Sequence, residues 1–269
     1  MAGKAGHTGT LDPLAEGVLP VGLGESTKFS RFLLDADKVY LATARLGIRT
    51  TTGDFEGDIL EERPVVTGEA DLLSAAASQN GERLQLPPMY SALKVGGKAL
   101  YQYARAGVEV ERKPRNVIIY SLQIIDFKDN TFSFRVHCSK GTYIRTVAEE
   151  IGAQLGCGAH LTGLIREAAG RFALRDALTL EELEAMPESG RDAILHSVDA
   201  FAQDLPQLVL PGEGVSRLVC GQSLPLAGAD GDYRLYARDG RFMGVGTIVA
   251  GVLQATRLMA GSVAPEGPV

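Results

Sequence analysis

Residues 117–155, VIIYSLQIIDFKDNTFSFRVHCSKGTYIRTVAEEIGAQL, decide the fold class. Val117 to Phe127 and Thr131 to Cys138 are dense in β-branched and aromatic residues and read as paired strands. From Gly141 to Leu155 the period changes. Ile144, Val147, Ile151 and Leu155 recur at helical spacing, and Thr142 supplies a capping pattern at the start. Paired strands running into an amphipathic helix predict an α/β protein of the α+β kind, with a mixed, largely antiparallel sheet flanked by helices.

Working outward, Lys38 to Leu46 (KVYLATARL) alternates in part and reads as a strand, and Thr50 to Asp58 as a polar, glycine-punctuated loop. Short helices are expected over Thr27–Asp35, capped by Ser26 or Thr27, and over Glu69–Gln79. Pro87 and Pro88 break the chain before MYSALKVGGKALYQYARAG, which turns helical after Gly97. His160 to Phe172 reads as strand and turn. Thr179–Met186, opened by the capping box TLEE, and Gly190–Phe201 read as helices. After Pro206 the texture changes to short β-like pieces (Leu208–Leu210, Tyr233–Ala237, Phe242–Val249, Gln254–Leu258) between Gly/Pro/Asp turns, which predicts a small all-β domain. The expected organisation is residues 1–200 as one domain, with a basic insert over about 85–115, then 206–260 as a small β-rich domain. The Gly/Pro-rich 261–269 are expected to be disordered.

Composition narrows the class. A chain of 269 residues with 45% hydrophobic and 22% charged residues is ordinary for a soluble protein with a sizeable core. No apolar run approaches the ~20 residues of a membrane span, and the sequence shows no basic n-region followed by an apolar stretch, so no secretory signal is expected. Cys138, Cys157 and Cys220 are odd in number and form no CxxC pair. That speaks against a disulfide framework or a zinc site and for the cytoplasm. The net charge of −6 conceals an asymmetry: residues 91–175 carry 13 Lys/Arg against 7 Asp/Glu, a local +6, between acidic ends. Such a stretch can hold phosphates, or it can be a solvated face.

The chemistry sits in two motifs. In GHTGTLDPLAEGVLPVGLGEST, from Gly6, glycines permit tight turns and Pro13 fixes the backbone behind Asp12. Asp12 can serve there as nucleophile, general base or metal ligand, or it can merely cap an Asx-type turn, the commoner fate of Asp-Pro. GLGEST lacks the ending of a phosphate-binding P-loop. In KGTYIRT (140–146) Arg145 falls on the first turn of the helix. It can pair with a carboxylate and keep it ionised, or it can form a surface ion pair. Tyr40 can be half-buried core or an aromatic face for a base. The isolated Cys157/His160 spacing reads as structural.

GHTGTLDPLAEGVLPVGLGESTK closely resembles the catalytic motif of the bacterial tRNA pseudouridine-55 synthases. KVYLATARLGIRTTTGDFEGD, PPMYSALKVGGKALYQYAR and CSKGTYIRTVAEEIGAQLGCGAHLTGLIRE resemble, in the same order, the family's second motif, its insert and its third motif. Together they span roughly residues 4–172, and the tail is similar to the small PUA-like, β-barrel-like RNA-binding domain that ends these enzymes. The resemblance implies a cytoplasmic RNA isomerase that converts the T-loop uridine at position 55 of tRNA to pseudouridine, with no cofactor and no metal. By the same resemblance Asp12 is the essential carboxylate, Tyr40 stacks on the target base and assists proton removal from C5, and Arg145 pairs with Asp12. His7 fills the gap left by the flipped uridine. Leu164 packs in the base pocket, Tyr143 lines it, and Lys28 and Asp54 lie near. Lys94, Lys98, Arg105, Arg112, Lys113 and Arg115, in or near the insert, are implied as phosphate contacts. The expected partner is the T-stem loop of tRNA, met by a monomer without guide RNA.

Two departures from the family pattern stand out. The family's N-terminal segment, with its Lys-Pro-x-Gly-x-Thr-Ser type motif, is absent before Met1, and Glu16 stands where a small or hydroxyl residue is usual. An inward-facing Glu16 would raise the Asp12 pKa, whereas an outward-facing one would be harmless. Three rival readings are a catalytically impaired homologue that only binds or folds tRNA, a guide-RNA-dependent relative, and a hydrolase built on His7 and Asp12.

Overall fold

In a computed structural model of the chain, residues 3–260 are described, so the tail 261–269 lies outside the described residues. They group into two compact units: Gly9–Pro20 with Asp35–Ala177, and the remainder from 3–8, 21–34 and 178–260. The first of these carries the main sheet. Its order runs Phe172–Ala173, Ala159–Ala169, Lys38–Leu46, Thr131–Cys138, Arg115–Lys128, Gly81–Gln85, and every one of these pairings is antiparallel. One short strand breaks the pattern. Ala15–Gly17 pairs in parallel with Ala159–Ala169, setting Ala15 opposite Leu164 and Gly17 opposite Arg166. The sheet is therefore mixed and largely antiparallel, as expected.

The hairpin 115–138 shows how the sequence builds it. In Thr131–Cys138 the side chains of Phe132, Phe134, Val136 and Cys138 are fully buried while Arg135 is exposed, the alternation of a strand with one face on the core. Each such aromatic or aliphatic burial contributes about 1.5–3 kcal/mol relative to exposure. Asp129 and Asn130 close the hairpin with φ of 51° and 60°, the left-handed pair that a two-residue turn requires and that Asp and Asn tolerate. The helix Ile144–Gln154 lays Ile144, Val147, Ala148 and Ile151 on the same core. Gly152 allows its close approach, since a Cβ there would lie 2.3 Å from the Ala159 nitrogen. Thr142 is not its cap: Tyr143 holds the N-cap position without a side-chain bond, and the Thr142 hydroxyl donates to the Ser139 carbonyl.

In the second unit a five-stranded sheet runs Gln207–Leu210, Gly231–Ala237, Phe242–Val249, Val252–Leu258, Leu224–Pro225. Leu210, Leu218, Leu235, Met243, Ile248 and Leu253 form its core. Two expectations fail in this unit. The β-rich portion is not all-β, because Gly212–Val219 is a helix. Nor is Gly190–Phe201 one helix: it holds the end of Glu188–Arg191 and short 3₁₀ turns at Asp192–Ile194 and Ala200–Ala202. Most of that stretch is exposed and has no core against which to propagate a helix. The capping box of Thr179 and Glu182 forms as expected. No described helix is long and apolar enough to cross a membrane.

Gly17 is the tightest point of the parallel pairing. Its φ is +103°, and a Cβ would meet the Arg166 carbonyl oxygen at 2.4 Å. Gly17→Ala is expected to cost on the order of 2 kcal/mol or more, from left-handed strain plus overpacking. A urea midpoint equal to the parent's would contradict the pairing.

Candidate active site

Asp12 opens a tight turn in which the Ala15 amide donates to the Asp12 carbonyl. The backbone closes this turn. The Asp12 carboxylate is turned instead to Arg145, whose Nε lies 2.9 Å from Oδ2. The Nε–H does not align on that oxygen, so the contact is an ion pair rather than a directional hydrogen bond. Arg145 is 3% exposed and spends its other nitrogens on the Thr52 carbonyl (2.9 Å) and the Tyr90 carbonyl (2.8 Å). Its Nη1 also stands 3.5 Å from Asp54 Oδ2. One guanidinium thus joins two carboxylates and two main-chain oxygens from three separate stretches of chain.

Asp54 is 2% exposed and held by its own loop. The Thr52 hydroxyl and the Glu56 amide donate to Oδ1, while the Thr50 hydroxyl donates to the Asp54 carbonyl. A single parallel bridge ties Asp54 to Leu161 of the main sheet. Tyr40 lies on Lys38–Leu46 opposite Arg166, and Leu164, which is buried, lies opposite Ala42. Tyr143 is fixed through its backbone, with its amide donating to Gln85 Oε1 at 2.7 Å and its carbonyl accepting from Gln85 Nε2 at 3.1 Å. Glu16 is exposed and absent from the charges that act on Asp12, so it is harmless there.

The electrostatics separate two roles. Burial lifts the Asp12 carboxyl above its ordinary value, Arg145 pulls it back down, and Asp54 adds a smaller upward push. Burial also lifts the Tyr40 phenol, against a downward pull from Arg166, so Tyr40 is a protonated hydroxyl at neutral pH. Cys138 is pushed up to about 12 by burial and is no nucleophile. No group of three or more His, Cys, Asp or Glu among the described residues is arranged to hold a metal ion.

Asp12, Tyr40, Asp54, Tyr143, Arg145 and Leu164 all belong to the same unit. His7 and Lys28 belong to the other. There His7 is exposed on the strand Ala5–His7, and Lys28 bonds Glu25 at 2.6 Å and the Leu258 carbonyl at 3.1 Å. Of the insert cations, Lys94, Lys98, Arg105, Lys113 and Arg115 are exposed. Lys98 stands over the Tyr103 ring and Arg105 over the Tyr101 ring. Arg112 is turned inward onto the Pro87 carbonyl at 3.0 Å. Sequence reasoning missed Arg166 and Gln85, both buried. The signal for Arg166 was its place two residues beyond Leu164, which puts both on one face of a strand.

The profile of the TruB family pseudouridylate synthase N-terminal domain matches residues 1–144. The chain belongs to this family. A tRNA pseudouridylate synthase B C-terminal domain matches 145–215, and the C-terminal domain of pseudouridine synthase II TruB matches 206–259. A Methylobacillus flagellatus protein named tRNA pseudouridine synthase B is 50% identical over 267 residues, covering 98% of this chain and 85% of that one. A Burkholderia mallei protein of the same name is 51% identical over 266 residues, covering 96% and 88%. Among solved structures, a Cbf5-Nop10-Gar1 complex contains a chain that matches with a TM-score of 0.71 at 23% identity, covering 95% of this chain and 76% of that chain. An H/ACA RNP bound to a substrate RNA containing 2′-deoxyuridine matches at 0.68 and 22%. These two establish likeness of fold.

A carboxyl whose pKa is raised on folding adds stability below its unfolded value, and that stability is lost as pH rises through the folded value. At neutral pH the ionised Asp12 therefore costs stability, even with Arg145 beside it. Asp12→Asn is expected to melt higher than the parent at pH 7, with the gap closing below about pH 3.8. A lower melting point at pH 7 would show that the ion pair outweighs burial.

Proposed function

We propose that the chain converts the uridine at position 55 in the T-loop of tRNA to pseudouridine, with Asp12 as the residue that attacks the substrate. The observation that carries this reading is the buried guanidinium of Arg145 holding the Asp12 carboxylate 2.9 Å away, in a member of the TruB family. The target uridine first leaves its stack, at a cost of about a few kcal/mol. The N1–C1′ bond then breaks, the uracil turns in the pocket, and C5–C1′ forms. The C5 proton leaves and N1 gains one, so the reaction is an isomerisation with no redox balance to meet. Attack at C1′ and removal of the C2′ proton both require an ionised carboxylate, which Arg145 favours against burial.

Tyr40 offers a stacking face for the base, and Leu164 and Tyr143 line its pocket. Its phenol is protonated at neutral pH, so it helps the C5 proton leave as a hydroxyl rather than as a standing phenolate. Asp54 shares Arg145 with Asp12 and steadies it. His7 fills the space vacated in the T-loop, and Lys28 meets RNA. Lys94, Lys98, Arg105, Lys113 and Arg115 hold phosphates, for which their exposure suits them. Arg112 serves the insert's own folding more than RNA. One chain supplies both carboxylates and the arginine of this network, and the reading takes the enzyme as a monomer acting without guide RNA. The free thiols of Cys138, Cys157 and Cys220 agree with a cytoplasmic enzyme.

Tritium release from tRNA carrying 5-tritiated uridine, assayed without guide RNA, tests the reading. Asp12→Asn and Asp12→Ala should release none above background while still retaining tRNA on a filter. Release by Asp12→Asn at the parent's rate would refute it. Separately, Lys94→Ala or Lys113→Ala should each flatten the slope of log affinity against log salt by about 1. An unchanged slope would remove that residue from the RNA surface.

A further inference from the structure

Resting on the isomerase reading, we propose that Arg166 is the positioning residue of the Asp12 loop, a clamp that sets where the carboxylate stands. Arg166 lies on Ala159–Ala169 and is 1% exposed, among the largest fully buried side chains. Its Nε donates to the Val18 carbonyl at 2.7 Å and its Nη2 to the Gly9 carbonyl at 3.1 Å. The Val18 amide donates in return to the Arg166 carbonyl at 2.9 Å. One residue therefore grips both ends of the stretch 9–18, and Asp12 stands between the two held carbonyls.

The electrostatics say why this is a second and different arginine. The side chain whose charge acts most on the Asp12 carboxyl is Arg145, with Asp54 adding a smaller push. Arg166 instead lies opposite Tyr40 on the neighbouring strand, and its charge draws the Tyr40 phenol down against burial. Arg145 sets the charge state of Asp12, and Arg166 sets its place. The clamp is costly. A buried guanidinium held by neutral carbonyls gains less than one held by a carboxylate, and an aliphatic side chain would fill the strand position without that penalty. Apolar packing offers no directed bonds to two carbonyls nine residues apart, whereas the planar fork of an arginine does. Arg166 also lies on the same strand face as Leu164, so one rigid element fixes the loop, the facing tyrosine and the base-pocket leucine together.

Displacing a reacting group by about 1 Å costs on the order of 100-fold in rate. Arg166→Lys keeps the charge but cannot reach both carbonyls, and Arg166→Gln keeps one donor with no charge to bury. In the full chain, each should keep a cooperative melt and the parent's KM for tRNA, while kcat falls about 100-fold. Hydrogen exchange should quicken at amides within 9–18 and stay slow in Lys38–Leu46. A kcat within two-fold of the parent in either folded variant would overturn the clamp, as would a fall in kcat with unchanged exchange at 9–18. Loss of a cooperative melt in both variants would also overturn it, leaving a role in the whole fold. The isomerase reading fails separately, if the parent releases no tritium or Asp12→Asn does; the exchange measurement still reads the clamp in that event.

Discussion

The guanidinium of Arg145 is the contact on which the arrangement of the site depends, because three other stretches of chain converge on it and it has almost no access to water. It faces Asp12 from the glycine-rich loop, Asp54 and the Thr52 carbonyl from the loop after Ile48–Thr50, and the Tyr90 carbonyl from the start of the insert. A buried guanidinium must have its charge and its donors met, or it costs several kcal/mol. Each of these stretches is thereby required to be where it is. The helix that carries Arg145 is in turn held at its start by Gln85, through both backbone groups of Tyr143.

That requirement makes the site expensive in a particular way. Asp12 is drawn out of water far enough for burial to outweigh the attraction of Arg145, and a second carboxylate nearby adds to the strain. A protein optimised for stability alone would not keep an aspartate there. A carboxylate with part of its hydration removed, oriented and ready to meet a ribose is what an isomerase of this kind needs, and the cost falls on the folded state. Arg166 adds a second cost of the same kind by holding the loop through main-chain oxygens.

Much of the fold was legible because its sheet alternates cleanly. Lys38–Leu46 and Thr131–Cys138 coincide with the expected strands, and Ile144, Val147 and Ile151 marked the helical face that meets the core. What was illegible had physical reasons. Gly212 and Gly214 disguised the helix Gly212–Val219, whose packing on the Leu224 side overrides poor propensity. Gly190–Phe201 had helical spacing but no core to pack on. The pairing of Arg145 with Asp12 was anticipated by family resemblance, since nothing in spacing alone brings residues 133 positions apart together. Arg166 was missed because an arginine inside an apolar strand reads as an exposed edge until the carbonyls it holds are seen.

The central claim is that Asp12 is a half-buried carboxylate kept ionised by the buried Arg145. Carbon-13 NMR of its side-chain carboxyl across pH, assigned by its absence in Asp12→Asn, reads this directly. The account predicts a midpoint above 3.8 and full ionisation at pH 7. A carboxyl still protonated at pH 7, or one titrating below 3.8, would contradict it.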